Sequence, residues 1–155
     1  SQGYYFGDDD YGFLVRQGEE NVYNSAESLR DAVVVTQSGS VQETLFREQV
    51  KTCGKFKLVS SMTDGFLMVS EGKADVCICS KASAKLYAEA NGGLAIPDFS
   101  FSVDESLSGV RVGMPLGADS LTEFVNACIE ELQAQGQLEQ WHQEAVEYAA
   151  GLGLE

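Results

Sequence analysis

The feature that most constrains the fold of this chain is an alternation between short apolar runs and longer amphipathic stretches. Residues 32–35 form a continuous run rich in β-branched side chains, the pattern of a strand covered on both faces. Further strands are predicted at residues 56–59, 74–79 and 94–96, with a helical periodicity after each of the first three strands. This order predicts an α/β fold with a mostly parallel sheet and helices on both faces.

The pattern changes after Pro97. One more strand is predicted over residues 109–114, followed by a long helix that begins at Asp119 and ends before Gly136. A final amphipathic helix follows. No internal repeat or low-complexity segment interrupts this order.

Charge and hydropathy exclude several classes of partner. The 155 residues contain 24 Asp and Glu against 10 Lys and Arg, a formal net charge of −14. Nucleic acids and anionic membrane surfaces are poor partners for such a chain, because binding phosphate needs clustered cations. No run of about 18 apolar residues predicts a membrane span. The first residues lack a signal-peptide pattern, which fits a cytosolic protein or the mature part of an exported one.

Neither a metal site nor a cofactor site is predicted. Cys77 and Cys79 share one face of a predicted strand without the C-x2-C spacing of zinc ligands, and His142 is the only histidine. The four cysteines are therefore predicted to be unpaired, packed thiols. The acidic run Asp8 to Asp10 lacks the ligand spacing of a calcium loop and is predicted to be a solvated loop.

The order of several short motifs resembles the second lobe of bacterial extracellular solute-binding proteins of family 3. The first is Gln37-Ser38-Gly39-Ser40-Val41, directly after a predicted strand. The others are residues 70–76 (SEGKADV), 87–94 (YAEANGGL), 110–114 (VRVGM) and 126–132 (NACIEEL). Their order and spacing match the family over nearly the whole chain.

The resemblance implies a type II periplasmic-binding-protein-like fold, in which a solute binds between two α/β lobes joined by two crossing strands. It divides the chain into a first crossing segment (1–11), lobe two as a three-layer α/β/α domain (12–96), a second crossing segment and loop (97–108), a strand and helices that pack on lobe one (109–153), and a tag remnant (154–155). It implies a fragment whose first lobe is truncated. Apolar stripes left uncovered in this way lead us to expect a homodimer.

One candidate site is the turn between residues 37 and 42. Free N–H groups and the helix dipole favour an anion at a helix start, although an ordinary helix capped by Ser38 or Ser40, with Glu43 in a capping box, explains the same residues. In the family this turn holds a ligand carboxylate. The resemblance therefore assigns ligand contact to the residues of this turn, namely Gln37, Ser38, Gly39, Ser40, Val41 and Gln42.

A second candidate is Ser80, at the end of the strand over residues 74–79. Amino-acid binders of the family carry an acidic residue there, which pairs with the ligand's ammonium. This chain has only a hydroxyl, so the resemblance implies either an anion from the other lobe or a ligand that is not an ordinary α-amino acid. The alternative is that Ser80 caps the following helix.

The resemblance implies a non-enzymatic function: the solute-binding component of an ABC importer, which binds a small polar or amino-acid-like solute and delivers it to a membrane permease. It implies an extracytoplasmic location, in the periplasm or at the cell surface as a lipoprotein. The alternative is a ligand-sensing domain of a membrane receptor or histidine kinase. An enzyme on the same scaffold would need a carboxylate and a cationic clamp in the cleft, and the sequence nominates neither.

Overall fold

Strands and helices alternate along the chain in the computed structural model, which describes residues 1–4, 10–104 and 109–151. The strands are β1 (Tyr11–Arg16), β2 (Val33–Gln37), β3 (Lys55–Val59), β4 (Val76–Ser80) and β5 (Leu94–Ala95). The α-helices are α1 (Val41–Gln49), α2 (Met62–Ser70), α3 (Lys81–Asn91), α4 (Asp119–Ala134) and α5 (Gln137–Gly151), and a 3₁₀ turn spans Glu27–Leu29. The described residues divide into two compact units, one of residues 10–104 and one of residues 1–4 and 109–151.

The larger unit is built on a five-stranded sheet with the order β3-β2-β4-β1-β5. β2 pairs in parallel with β3 and β4, whereas β1 pairs antiparallel with β4 and β5. Four of the five strands therefore run in one direction and β1 runs in the other. The predicted α/β class with a mostly parallel sheet is confirmed, but the sequence pattern did not predict the reversed strand β1.

Both faces of this sheet are covered, because consecutive residues of β2 and β4 are buried and successive side chains of a strand point to opposite faces. On one face Val35 and Cys77 join a buried cluster with Phe66 of α2 and Ala84 of α3. The buried side chains of α1 lie outside that cluster, and α1 contacts β2 and β4. The unit has three layers, with α2 and α3 on one face and α1 on the other.

Asp75 explains the motif at residues 70–76 in structural terms. Its carboxylate accepts a hydrogen bond from the Val33 N–H at 2.8 Å and pairs with Arg16 Nη2 at 3.1 Å. Nη1 of Arg16 donates to the carbonyls of Ala74 (2.7 Å) and Val69 (3.1 Å). One carboxylate thus joins the start of β2, the approach to β4 and the end of β1.

The segment after β5 returns across the larger unit and is fixed there by three aromatic rings. Phe99 stacks on Phe13 with ring centroids 4.5 Å apart, and Phe101 contacts both rings edge-on. The Phe101 N–H donates to the Tyr11 carbonyl at 2.8 Å. These aromatic side chains pack the segment onto β1.

The prediction of a strand over residues 109–114, in the smaller unit, is wrong. Only Val110 forms a bridge, in which its carbonyl accepts from the Tyr4 N–H at 3.0 Å. A ladder needs a neighbouring strand, and the described residues 1–4 supply only this contact and bonds between Ser1 and Val112. Val110 and Val112, which have strand-forming side chains, remain 47% and 40% exposed.

The two helices of the smaller unit expose much of their apolar surface. Phe124 on α4 is 68% exposed and Tyr148 on α5 is 71% exposed. Together the helices carry seven acidic side chains and no Lys or Arg. Across the described residues, no helix combines the length and apolar character needed to span a membrane.

Candidate ligand-binding site at the carboxyl edge of the sheet

The ends of β2 and β4 bring the two predicted site segments together. The strands are parallel neighbours with Val34 opposite Val76, so continuing the register by four residues places Ser38 beside Ser80. α1 begins just after β2, and α3 begins immediately after β4. In open α/β sheets, ligands bind outside the carboxyl ends of the strands.

The turn between β2 and α1 is a capped helix start. Gly39 has a φ of 72°, a left-handed conformation that glycine adopts without a Cβ penalty. Ser40 is the N-cap: its hydroxyl accepts from the Glu43 N–H at 3.2 Å and donates to the Gln37 carbonyl at 2.7 Å. Ser40, and not Ser38, therefore fills the capping role that the sequence left open between them.

Glu43 closes the turn in a way that differs from a standard capping box. Its carboxylate accepts from the Gly39 N–H at 2.8 Å, one residue before the N-cap. Arg47 donates its Nε–H to the same carboxylate at 2.9 Å. The Gly39 hydrogen bond and then the Arg47 guanidinium lower the pKa of Glu43. The turn already holds one carboxylate of its own.

Three N–H groups at the helix start have no acceptor among the described residues, those of Ser40, Val41 and Gln42. The first amides of any α-helix lack partners within the helix, and the dipole places partial positive charge there. Glu43 leaves these three groups free. Val41 has no side-chain hydroxyl, so its N–H is the group it can offer to an anion.

Gln37 and Ser38 are held by the neighbouring strand. The Gln37 side-chain amide donates to the Ser60 carbonyl at 3.3 Å, and the Ser38 N–H donates to the Val59 carbonyl at 2.9 Å. These bonds join the end of β2 to the end of β3 and fix the position of the turn.

Ser80 stands at the N-cap position of α3, but its hydroxyl accepts no capping hydrogen bond from the helix. The side chain is half-buried and has no hydrogen-bond partner among the described residues. The hydroxyl is thus available at the same sheet edge as the free amides of α1.

Lys81, the first residue of α3, lies next to Ser80 and was not singled out from the sequence. Its side chain is only 18% exposed, and its Nζ lies 3.7 Å from a carboxylate oxygen of Asp10. Its position in the sequence could have drawn attention to it, because it directly follows a candidate site residue at the start of a predicted helix. A cation at that end of a helix opposes the helix dipole.

The cysteines and acidic side chains that the structure describes form no metal-ligand group. All four cysteines are free, and Cys77 and Cys79 are buried in β4. Burial raises the pKa of the Cys79 thiol, which keeps it protonated. Over residues 1–4, 10–104 and 109–151, no three His, Cys, Asp or Glu side chains are grouped to hold a metal ion. Asp8 and Asp9 of the predicted solvated loop lie outside the described residues.

Solved structures with the same fold are substrate-binding proteins. An amino acid ABC transporter substrate-binding protein of Streptococcus pneumoniae bound to L-arginine aligns with a TM-score of 0.76 and 24% identity, over 95% of this chain and 60% of that one. An ancestral arginine-binding protein bound to glutamine gives 0.76 and 23%, over 93% and 61%. A periplasmic binding protein of Salmonella typhimurium with high arginine specificity gives 0.75 and 18%, over 93% and 62%.

These structures define the fold as that of amino acid ABC transporter substrate-binding proteins, and the resemblance found in the sequence is confirmed in the fold. The chain spans about 60% of the length of these proteins. No family model and no curated protein matches the sequence.

We expect the Glu43 contact to make stability depend on pH. Because the folded-state pKa of Glu43 is lowered, its stabilising contribution is present above the unfolded pKa and is lost as the pH falls through the folded value. Glu43→Gln should therefore lower the urea midpoint at pH 7 and have a smaller effect at pH 3. Glu48→Gln on the same helix is the matched control. An equal effect of Glu43→Gln at both pH values would contradict the assignment.

Proposed function

We propose that this chain is the ligand-binding lobe of a solute-binding protein that serves an ABC importer, with a small amino-acid-like carboxylate as its solute. The observation that carries the proposal is the set of free amides of Ser40, Val41 and Gln42 at the carboxyl edge of the sheet. They offer hydrogen bonds and a helix dipole to one carboxylate. The free hydroxyl of Ser80 contributes a second polar contact.

The mechanism is hinge closure between this lobe and a second one. The resemblance assigns residues 1–11 and 97–108 to the crossing segments, and here Phe99 and Phe101 hold the second of these against β1. A solute that contacts both lobes binds the closed state more tightly and shifts the population towards it. A membrane permease then recognises the closed form. One lobe alone contributes part of the contacts and binds weakly.

The proposal includes an extracytoplasmic location and no catalysis. Support for a transport role comes from the structural neighbours, which are substrate-binding proteins of amino acid transporters or periplasmic binding proteins. At the sheet edge, the Glu43 carboxylate is held by Gly39 and Arg47, and the Asp10 carboxylate lies beside Lys81. Their positions fit binding better than proton transfer to a solute.

The direct test is a titration by calorimetry and thermal shift against three panels: amino acids, polyamines and small carboxylates without an amino group. We expect heat and a raised melting temperature with carboxylate-bearing solutes, because the free amide N–H groups can donate hydrogen bonds to a carboxylate. Polyamines, which carry no carboxylate, should have no effect. Binding of polyamines alone would contradict the proposed site and with it the proposed function.

We also expect the chain to form a homodimer. Exposed apolar side chains such as Phe124 and Tyr148 favour association, while the net charge of −14 opposes it. Salt screens the charge, so the dimer fraction should rise between 20 mM and 500 mM NaCl in size-exclusion chromatography with light scattering. A monomer at every salt concentration would contradict this expectation.

A further inference from the structure

We infer that the outer edge of β3 is a docking surface for an acidic peptide segment, which adds to the sheet as a further strand. β3 is the edge strand next to β2, and its sequence is Lys-Phe-Lys-Leu-Val. Three features of this strand carry the inference: free backbone groups, lysines without an acidic partner and an exposed leucine. The inference does not depend on the proposed solute site.

The backbone of β3 leaves two residues unpaired on its outer side. Lys55 donates its N–H to the carbonyl just before β2 at 3.0 Å, and the Val59 carbonyl accepts from the N–H just after β2 at 2.9 Å. Because the backbone groups of successive residues alternate between the two sides of a strand, those of Phe56 and Leu58 point away from β2. They bond to no other described element. Such an edge is a template for another strand.

The segment around this edge is basic in an otherwise acidic chain. Residues 49–63 contain three lysines and no Asp or Glu, whereas the whole chain has a net charge of −14. The side chains of Lys51 and Lys55 form no ion pair or hydrogen bond with any described residue. The Lys57 ammonium donates to the Lys73 carbonyl at 3.2 Å. All three ammonium groups therefore lack an acidic partner within the described residues.

The two faces of β3 present different side chains to an added strand. Lys55 and Lys57 share one face, because the side chains of a strand alternate. On the other face Phe56 stacks on Phe46 with ring centroids 4.1 Å apart, and Leu58 is 43% exposed. Opposite charges and apolar pairs both stabilise neighbouring strands. The segment that fits this edge therefore alternates acidic and apolar residues.

The same lysines oppose the docking of a second copy of this chain at the edge. A second β3 would bring its own lysines next to Lys55 and Lys57, and like charges on paired strands are destabilising. Lysines on edge strands protect sheets from self-association in this way. An acidic segment meets no such repulsion, so charge selects the strand that the edge accepts.

The test measures the binding of a short fluorescein-labelled peptide of alternating glutamate and valine to the complete 155-residue chain, by fluorescence anisotropy at pH 7. We expect saturable binding that weakens as NaCl is raised, because salt screens exposed charges. A peptide of alternating lysine and valine, which has the same backbone and the opposite charge, should not bind. The amide resonances of residues 55–59 should shift with the glutamate peptide.

Variants of the edge separate backbone pairing from charge attraction. Leu58→Pro removes an N–H on the outer side and keeps the bonds to β2, a place where sheets tolerate proline. It should bind the glutamate peptide about fivefold more weakly than Leu58→Ala, which keeps the N–H. Lys55→Gln should weaken binding about two- to fivefold. Lys85→Gln, at an exposed lysine on α3, is the control and should bind like the original chain.

Three results would overturn the inference. The first is no binding of the glutamate peptide, or equal binding of the lysine peptide. The second is equal affinity of the Leu58→Pro and Leu58→Ala variants when both have the same urea midpoint, since the peptide would then not pair with the backbone. The third is a set of peptide-dependent shifts that leaves out residues 55–59. None of these results bears on the free amides of α1, which the carboxylate titrations test separately.

Discussion

Replacing Val41 by proline should weaken carboxylate binding and leave the fold intact. Proline at the first position of a helix removes only an N–H that has no intrahelical partner. The residue before it must be extended, and Ser40 already has φ −91° and ψ 163°. Loss of one charge-assisted hydrogen bond predicts at least about tenfold weaker binding. Calorimetric titration with a carboxylate solute measures the change.

The control is Val41→Ala, which removes the same apolar side chain but keeps the N–H. It should bind like the original chain. Both variants should show the same urea midpoint within error, because proline is pre-organised for this position. Equal affinities of the proline and alanine variants would show that the Val41 amide does not contact the solute.

Gly65→Ala should destabilise the larger unit by about 1–3 kcal/mol, although alanine normally favours a helix. Gly65 lies in α2 against β4, and a Cβ there would be 2.9 Å from the Cys77 sulfur. Both residues are buried, so the neighbours cannot move aside without disturbing the core. Urea unfolding followed by circular dichroism gives the free energy of unfolding.

A double-mutant cycle with Cys77→Ala separates the clash from other effects. Cys77→Ala alone removes the sulfur and leaves a small cavity, which costs stability. In the double variant the new methyl group enters the vacated space, so the two changes should be less destabilising together than their sum. Additive effects would mean that the methyl group added at position 65 does not clash with the Cys77 sulfur.

The elements that the sequence predicted correctly are those with a strong local pattern. The apolar run at residues 32–35 and the helical periodicity of α4 can be recognised without knowing which elements they pack against. The sequence did not predict β1. The reversed direction of this strand depends on its pairing with β4, and no local pattern encodes that pairing. The strand over residues 109–114 was overpredicted because β-branched side chains alone do not supply a neighbouring strand.

The candidate site was likewise predictable only in part from the sequence. A strand, a small polar turn and a helix start are local, so the turn at residues 37–42 could be located from the sequence. The contact of Glu43 with Gly39 and the covered position of Lys81 depend on side-chain geometry and on distant residues such as Gly12. Sequence spacing could not place these groups.

The most direct measurement is an amide-resolved NMR titration of the chain with a small carboxylate solute, since weak binding suffices for it. We expect the N–H resonances of Ser40, Val41 and Gln42 to shift together with a common dissociation constant, while that of Gly39, already bonded to Glu43, moves less. Solute-dependent shifts confined to another part of the chain would contradict this prediction.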